Sequence, residues 1–219
     1  MRKLIIPIIL GILGVAVLLS LGIWQSKRLI WKQGILAEIE ARIADEPVPL
    51  ADAMLDYQSV TVTGSFTGDE IHVLASTRHV GAMYRIIGAF VTDSGKNILI
   101  DRGYVRLENK NAERINTTQT ITGNLHTPDE VDGFTPEPDI TANIWYARDV
   151  PAIAAHLNTD QVFIIARSTS QSDPDLTPLP VDTSSIPNDH LGYAITWFSL
   201  AFIWLVMTSV YIWRNRRNS

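Results

Sequence analysis

The sequence predicts an α+β membrane protein, with two transmembrane helices flanking a mainly antiparallel β-sheet or partly open barrel domain that has few helices. Uncharged apolar stretches of 23 residues lie near both ends of the chain, at 4–26 and 191–213. A helix of that length measures roughly 35 Å, which is sufficient to cross a hydrocarbon core of about 30 Å. Between the two stretches, short runs rich in β-branched residues alternate with turn residues, a pattern typical of strands.

The first apolar stretch, 4–26, predicts a retained membrane anchor. It follows Arg2 and Lys3, but it is longer than the apolar core of a signal peptide, and no small-x-small cleavage site follows it. Residues 27–46 then predict a stalk helix that continues from the membrane, because they carry a helically spaced apolar stripe and no proline before Pro47.

The central segment, 57–167, predicts the extracytoplasmic β domain. We expect a hairpin turn at 92–96 and a short helix at 151–157 capped by Asp149. The expected strands are 59–63, 70–75, 83–91, 97–105, 118–125, 144–147 and 162–166. Within it, Asp101-Arg102-Gly103 is interpreted as an ion-paired turn, with a partner-binding edge as the alternative.

The remaining segments return the chain to the membrane. Residues 168–189 predict an extended Pro-rich linker, 190–213 the second transmembrane helix, and 214–219 a basic cytoplasmic tail. Five Lys or Arg residues lie near the two termini, against three that follow the first span. This bias predicts that both termini are cytoplasmic and that the domain lies outside.

Composition excludes several classes of function. A formal charge of −5 disfavours nucleic-acid binding, and the absence of cysteine excludes disulfides and thiolate metal sites. No nucleophile with a base, P-loop or metal-ligand motif occurs in the sequence. We therefore predict no catalytic residues and no metal ligands of that kind, and a membrane-tethered enzyme is the least favoured hypothesis.

His190 is the residue most suggestive of chemistry. It directly precedes the second apolar stretch, and on a helix it shares a face with Tyr193 and Trp197. An imidazole above aromatic rings is suited to ligate haem iron while the rings contact the macrocycle. The alternative is that all three side chains anchor the helix at the membrane interface.

Five motifs, in order along the chain, together resemble the Surfeit-locus protein family. They are Leu21-Gly22-Ile23-Trp24-Gln25, Val62-Thr63-Gly64-Ser65-Phe66, Ile98 to Val105, Phe134-Thr135-Pro136 with Asn143-Ile144-Trp145-Tyr146, and Ile186 to Leu191 with Tyr193-Ala194 and Thr196-Trp197-Phe198. The chain departs from the family pattern at Asp189, where the family usually has Asn, and at Gly88-Ala89 and Arg106.

The resemblance implies a factor for assembly of cytochrome c oxidase that is not an enzyme and that holds or delivers haem a to oxidase subunit I, with a haem a synthase as a further candidate partner. The first apolar stretch lacks the Ser- and Arg-rich presequence of a mitochondrial import signal, so we expect a bacterial inner (cytoplasmic) membrane with a periplasmic central domain. The residue implied to bind haem is His190, with Tyr193 and Trp197 as packing surface. The alternative is a haem-independent scaffold that stabilises an assembly intermediate through its outer domain.

Overall fold

The computed structural model describes residues 2–77, 80–184 and 186–217. Its helices are α1 (Arg2–Ala44), α2 (Val150–Leu157) and α3 (His190–Arg217). Its strands are β1 (Val48–Pro49), β2 (Ser59–Thr77), β3 (Gly81–Thr92), β4 (Asn97–Arg106), β5 (Gln119–Leu125) and β6 (Phe163–Thr169). The chain divides into two compact units, one formed by the two terminal segments and the other by Ile39–Asp182. The predicted fold class is confirmed.

The terminal unit pairs α1 with α3. Both helices are long and apolar enough to cross a membrane, and nearly all of their apolar side chains point outward rather than into the protein. Such a surface suits lipid and would be a large exposed apolar patch in water. The predicted span and stalk form one uninterrupted helix, which ends before Pro47 as expected.

Glycines on α1 lie against large side chains of α3. Gly11 faces Thr208, Gly14 faces Trp204 and Gly22 faces Phe198, in antiparallel order. Small residues at these positions let the helix axes approach closely, which stabilises helix pairs in lipid.

The second unit is a closed sheet. Strand β2 pairs with β3 along its second half and with β5 along its first half, so that β2-β3-β4-β6-β5 form a ring. The β4–β6 pair is parallel, the other ring pairs are antiparallel, and β1 adds in parallel beside β2. This is the arrangement of a small Greek-key barrel, in which closure removes exposed strand edges.

Alternating side chains build two hydrophobic layers. On β4, Ile98 and Ile100 point into the barrel, where they pack with residues from all the other ring strands. Leu99, between them, points to the opposite face and packs under α2 against Ile153. Because successive side chains of a strand point to opposite faces, β4 contributes both to the core inside the barrel and to the surface against which α2 packs. Asp149 caps α2 as predicted, since its carboxylate accepts a hydrogen bond from the Ala152 amide at 3.1 Å.

Two local predictions were wrong. The strands expected at 59–63 and 70–75 are parts of one strand, β2, which runs through Gly64 with a bulge between Phe66 and Glu70. Glycine is needed at 64 because a side chain there would collide with the backbone of β3. The expected strand at 144–147 is reduced to two isolated bridges, Trp145 with Val73 and Ile144 with Asp139.

The segment that follows β6 is extended, but it is attached to the barrel rather than free. Thr177 exchanges two backbone hydrogen bonds with Tyr104, and the Arg85 guanidinium donates to the Leu179 carbonyl. Gly103 has φ +115°, and its missing side chain makes room for the backbone at Thr177 and Pro178. Residues 173–181 thus form a strap across β4.

Candidate functional site

The start of α3 carries the residue that the sequence singled out. The Nδ1 of His190 lies 2.8 Å from the Oε1 of Gln25 on α1. Since a carboxamide oxygen can only accept, Nδ1 carries the proton and donates. That tautomer leaves the lone pair on Nε2, the nitrogen with which the ring can bind a metal centre.

Gln25 is a positioning residue that sequence reasoning missed. Its side chain is only 8% exposed, and it lies on the same face of α1 as Gly22. A metal-binding histidine is commonly oriented by a hydrogen bond to its other ring nitrogen. The Asp189 side chain, next to His190 in sequence, is exposed, and its backbone carbonyl accepts the Tyr193 amide. The sequence feature that could have pointed to Gln25 is a single polar amide side chain at the end of an apolar span.

The predicted packing residues divide between two environments. Trp197 is half-buried, on the face of α3 that also buries Ala194 and Ala201 against α1. Tyr193 is 56% exposed and lies beside that face rather than within it. The half-buried imidazole of His190 thus has one aromatic side chain, Trp197, on the helix-contact face and another, Tyr193, on the exposed surface beside it.

A buried ion pair lies in the barrel at the predicted Asp101-Arg102-Gly103 turn. The fully buried carboxylate of Asp101 lies 2.8 Å from the Nε of Arg85 and 3.8 Å from the Nη1 of Arg148, and it accepts the Gly103 amide. Burial raises the pKa of Asp101, while the charges of the two arginines oppose that shift. The group is structural, which confirms the predicted ion pairing. The predicted turn is wrong, because Asp101, Arg102 and Gly103 lie within strand β4.

Arg102 is also held inside the protein. Its guanidinium stacks 4.0 Å above the Phe66 ring, donates to the Ile115 carbonyl at 2.8 Å, and lies within 4 Å of Glu70 and Asp173. Burial lowers the pKa of Arg102, against the opposing charges of these two carboxylates. A side chain with so many internal partners has little left to offer a ligand.

Metal chemistry with several ligands has no support in the described part of the chain, where no three His, Asp or Glu side chains are grouped closely enough to hold an ion. The geometry therefore directs attention to His190 and Gln25. The model of the SURF1 family matches residues 12–202, which include most of α1, the whole barrel and the first part of α3. The chain belongs to the SURF1 family.

Individual members of the SURF1 family are similar along most of their length. A SURF1-like protein of Rickettsia felis is 32% identical over 214 residues, covering 92% of this chain and 93% of its own. Surfeit locus protein 1 of Homo sapiens is 32% identical over 210 residues (83% and 69%), and that of Rattus norvegicus 31% identical over 217 residues (84% and 70%). The similarity thus extends across membrane helices and barrel together.

Proposed function

We propose that this protein is an assembly factor for cytochrome c oxidase that holds or delivers haem a during maturation of subunit I. Membership of the SURF1 family supports the assembly role. The observation that supports haem handling is the His190–Gln25 hydrogen bond, which orients an imidazole at the end of a membrane helix. Haem a is the cargo in this proposal rather than a resident cofactor.

In the proposed mechanism the protein binds haem and later releases it, and it catalyses no reaction. His190 would ligate the haem iron through Nε2, while Gln25 keeps the proton on Nδ1 and the ring in one orientation. Tyr193 and Trp197 would cover part of the macrocycle. Because haem would have a single protein ligand and would lie on a lipid-facing surface, its binding would be weak enough to be reversible. Haem would then be transferred when subunit I offers better ligands.

The proposed location is a bacterial inner membrane, with the barrel in the periplasm and both termini in the cytoplasm. The two apolar helices supply the spans, and the excess of basic residues near the termini supports the orientation. In this orientation His190 lies at the periplasmic boundary, where a haem a synthase or subunit I in the same membrane can reach it.

The alternative is a haem-independent scaffold that binds an oxidase intermediate through the barrel. The observation that favours it is a long loop of the barrel with a fully exposed Phe134. Arg102 and Trp145 of the same domain are buried. Their substitution would disturb the fold, so an exposed residue such as Phe134 is the better probe.

The haem a content of cytochrome c oxidase in a His190→Ala strain tests the proposal. We expect oxidase that assembles poorly and lacks haem a, with the variant protein still present in the membrane at the wild-type level. Wild-type haem loading in that strain would refute the role of His190. If Phe134→Ser then abolished assembly, the scaffold alternative would replace it.

A further inference from the structure

A long loop joins β5 to α2. It covers residues 126–149 and contains only isolated bridges and turns. Loops of this length without helix or strand are uncommon in compact domains unless they have a function. Nothing in the proposed handling of haem by the membrane helices uses it.

The loop presents an aromatic side chain outward on a well-ordered turn. Phe134 is 95% exposed. The carboxylate of Asp132 accepts hydrogen bonds from the Phe134 amide at 2.9 Å and from the Thr135 hydroxyl at 3.1 Å, and the Thr135 hydroxyl accepts the Asp132 amide at 2.9 Å. Because the turn is fixed by these bonds, little conformational freedom remains to be lost when Phe134 binds a partner.

A recess lies along the same loop. Its volume is about 160 Å³ and its apolar lining includes Val131, Pro136, Trp145 and Tyr146. Trp145 is almost entirely buried, and its indole N–H has no hydrogen-bond partner within the described residues. A recess of this kind can take an apolar side chain.

Negative charge surrounds the exposed aromatic ring and the recess. Residues 126–147 contain five carboxylates and no Lys or Arg. Arg148, the first basic residue after them, is turned inward to Glu130 and Asp101, and Lys110 from another loop donates to the Ala142 carbonyl. The carboxylates that remain exposed are Asp129, Asp132, Glu137 and Asp139.

We propose that this acidic loop face, formed by Val131, Phe134, Tyr146 and the four exposed carboxylates, docks a basic segment of a partner protein that carries apolar anchors. Apolar anchors surrounded by a complementary charged rim are the usual anatomy of a specific interface. A lipid surface is the less suitable occupant, because anionic headgroups would be repelled by the same carboxylates. The inference holds for either form of the proposed function.

Site-specific photocrosslinking tests the proposal in native membranes of the producing cell. Benzoylphenylalanine is introduced at position 134 of the full chain, and the crosslinked residues are mapped by mass spectrometry. We expect a crosslink to one protein segment in which Lys or Arg flank apolar residues. The matched control is the same photoprobe at Leu107, which is also exposed and lies outside the loop; it should not give that product.

Two further variants separate anchor from charge. Phe134→Ser should reduce co-purification of the mapped partner by about 30-fold, as expected when an interface anchor is removed. Asp129→Asn with Glu137→Gln should reduce it about three- to tenfold and weaken its salt dependence. Haem pigment in the purified variants should remain at the wild-type level, so this result is independent of His190.

The other outcomes overturn the proposal. A crosslink to lipid would make the loop face a membrane contact. A crosslink to an acidic segment, or no product above the Leu107 control, would show that the charge and the exposed ring do not recruit a basic partner.

Discussion

The stability of the barrel should depend on the buried carboxylate of Asp101. The substitution Asp101→Asn removes its negative charge with almost no change in side-chain shape. The Arg85 guanidinium, 13% exposed, would lose its counter-ion at 2.6 Å, while Arg148 would retain Glu130. Breaking a buried pair by neutralising one partner costs about 3–5 kcal/mol, because the other charge stays buried without compensation. The amide can still accept the Gly103 hydrogen bond, so we expect the lower half of that range.

The assay is thermal unfolding of the full chain in detergent, followed by the β-sheet circular dichroism signal. For a unit of this size, each kcal/mol lowers Tm by roughly 2–4 °C, so Asp101→Asn should lower it by about 6–16 °C. Asp93→Asn in the exposed 92–96 hairpin is the matched control and should change stability by less than about 0.5 kcal/mol.

A second variant tests whether the loss of stability comes from the uncompensated buried charge of Arg85. In Asp101→Leu with Arg85→Met, both charges are gone, and the double variant should be more stable than Asp101→Asn alone. If Asp101→Asn and Asp93→Asn unfold at the same temperature, the buried pair does not support the barrel and the reasoning is refuted.

Three further predictions concern the helix pair and the loop. Gln25→Leu should raise the haem dissociation constant about 10- to 100-fold through loss of the hydrogen bond to His190, measured by haem titration; an unchanged constant would contradict the positioning role. Burial alone would raise the pKa of Glu130, but its hydrogen bonds and charge pair with Arg148 lower it overall. Wild-type stability, measured by thermal unfolding, should therefore fall as the pH drops below about 5, and that of Glu130→Gln should fall less. Gly22→Val would push a side chain into a phenyl ring of α3 and should cost about 1–3 kcal/mol in detergent-induced unfolding, whereas Gly34→Val, with open space at its Cβ, should be neutral.

Sequence patterns predicted the elements that depend on local chemistry. The spans follow from apolar length, the 92–96 hairpin from its turn residues, and α2 from the Asp149 cap. Closure of the barrel was not predictable, since β2 must pair not only with β3, which follows it directly, but also with β5, which is distant along the chain. Gly64 illustrates the difficulty, because the same residue that ends a strand in one context permits close strand approach in another.

The candidate site was predictable only in part. His190 stood out because a histidine at the end of an apolar span is unusual, and the family resemblance reinforced it. Its partner Gln25 lies 165 positions away, and only the antiparallel packing of α1 and α3 brings the two together. The exposure of Phe134 could not be predicted from the sequence either, because an apolar residue in a loop can equally be buried beneath that loop.

The visible absorption spectrum of the detergent-purified protein, from cells that also make haem a, tests the central claim most directly. Wild type, His190→Ala and Phe134→Ser are compared at equal protein concentration. We expect Soret and α bands in wild type and Phe134→Ser, and their loss in His190→Ala. Pigment that persists in His190→Ala, or its absence from all three proteins while haem a is demonstrably made, would contradict haem custody at this helix end.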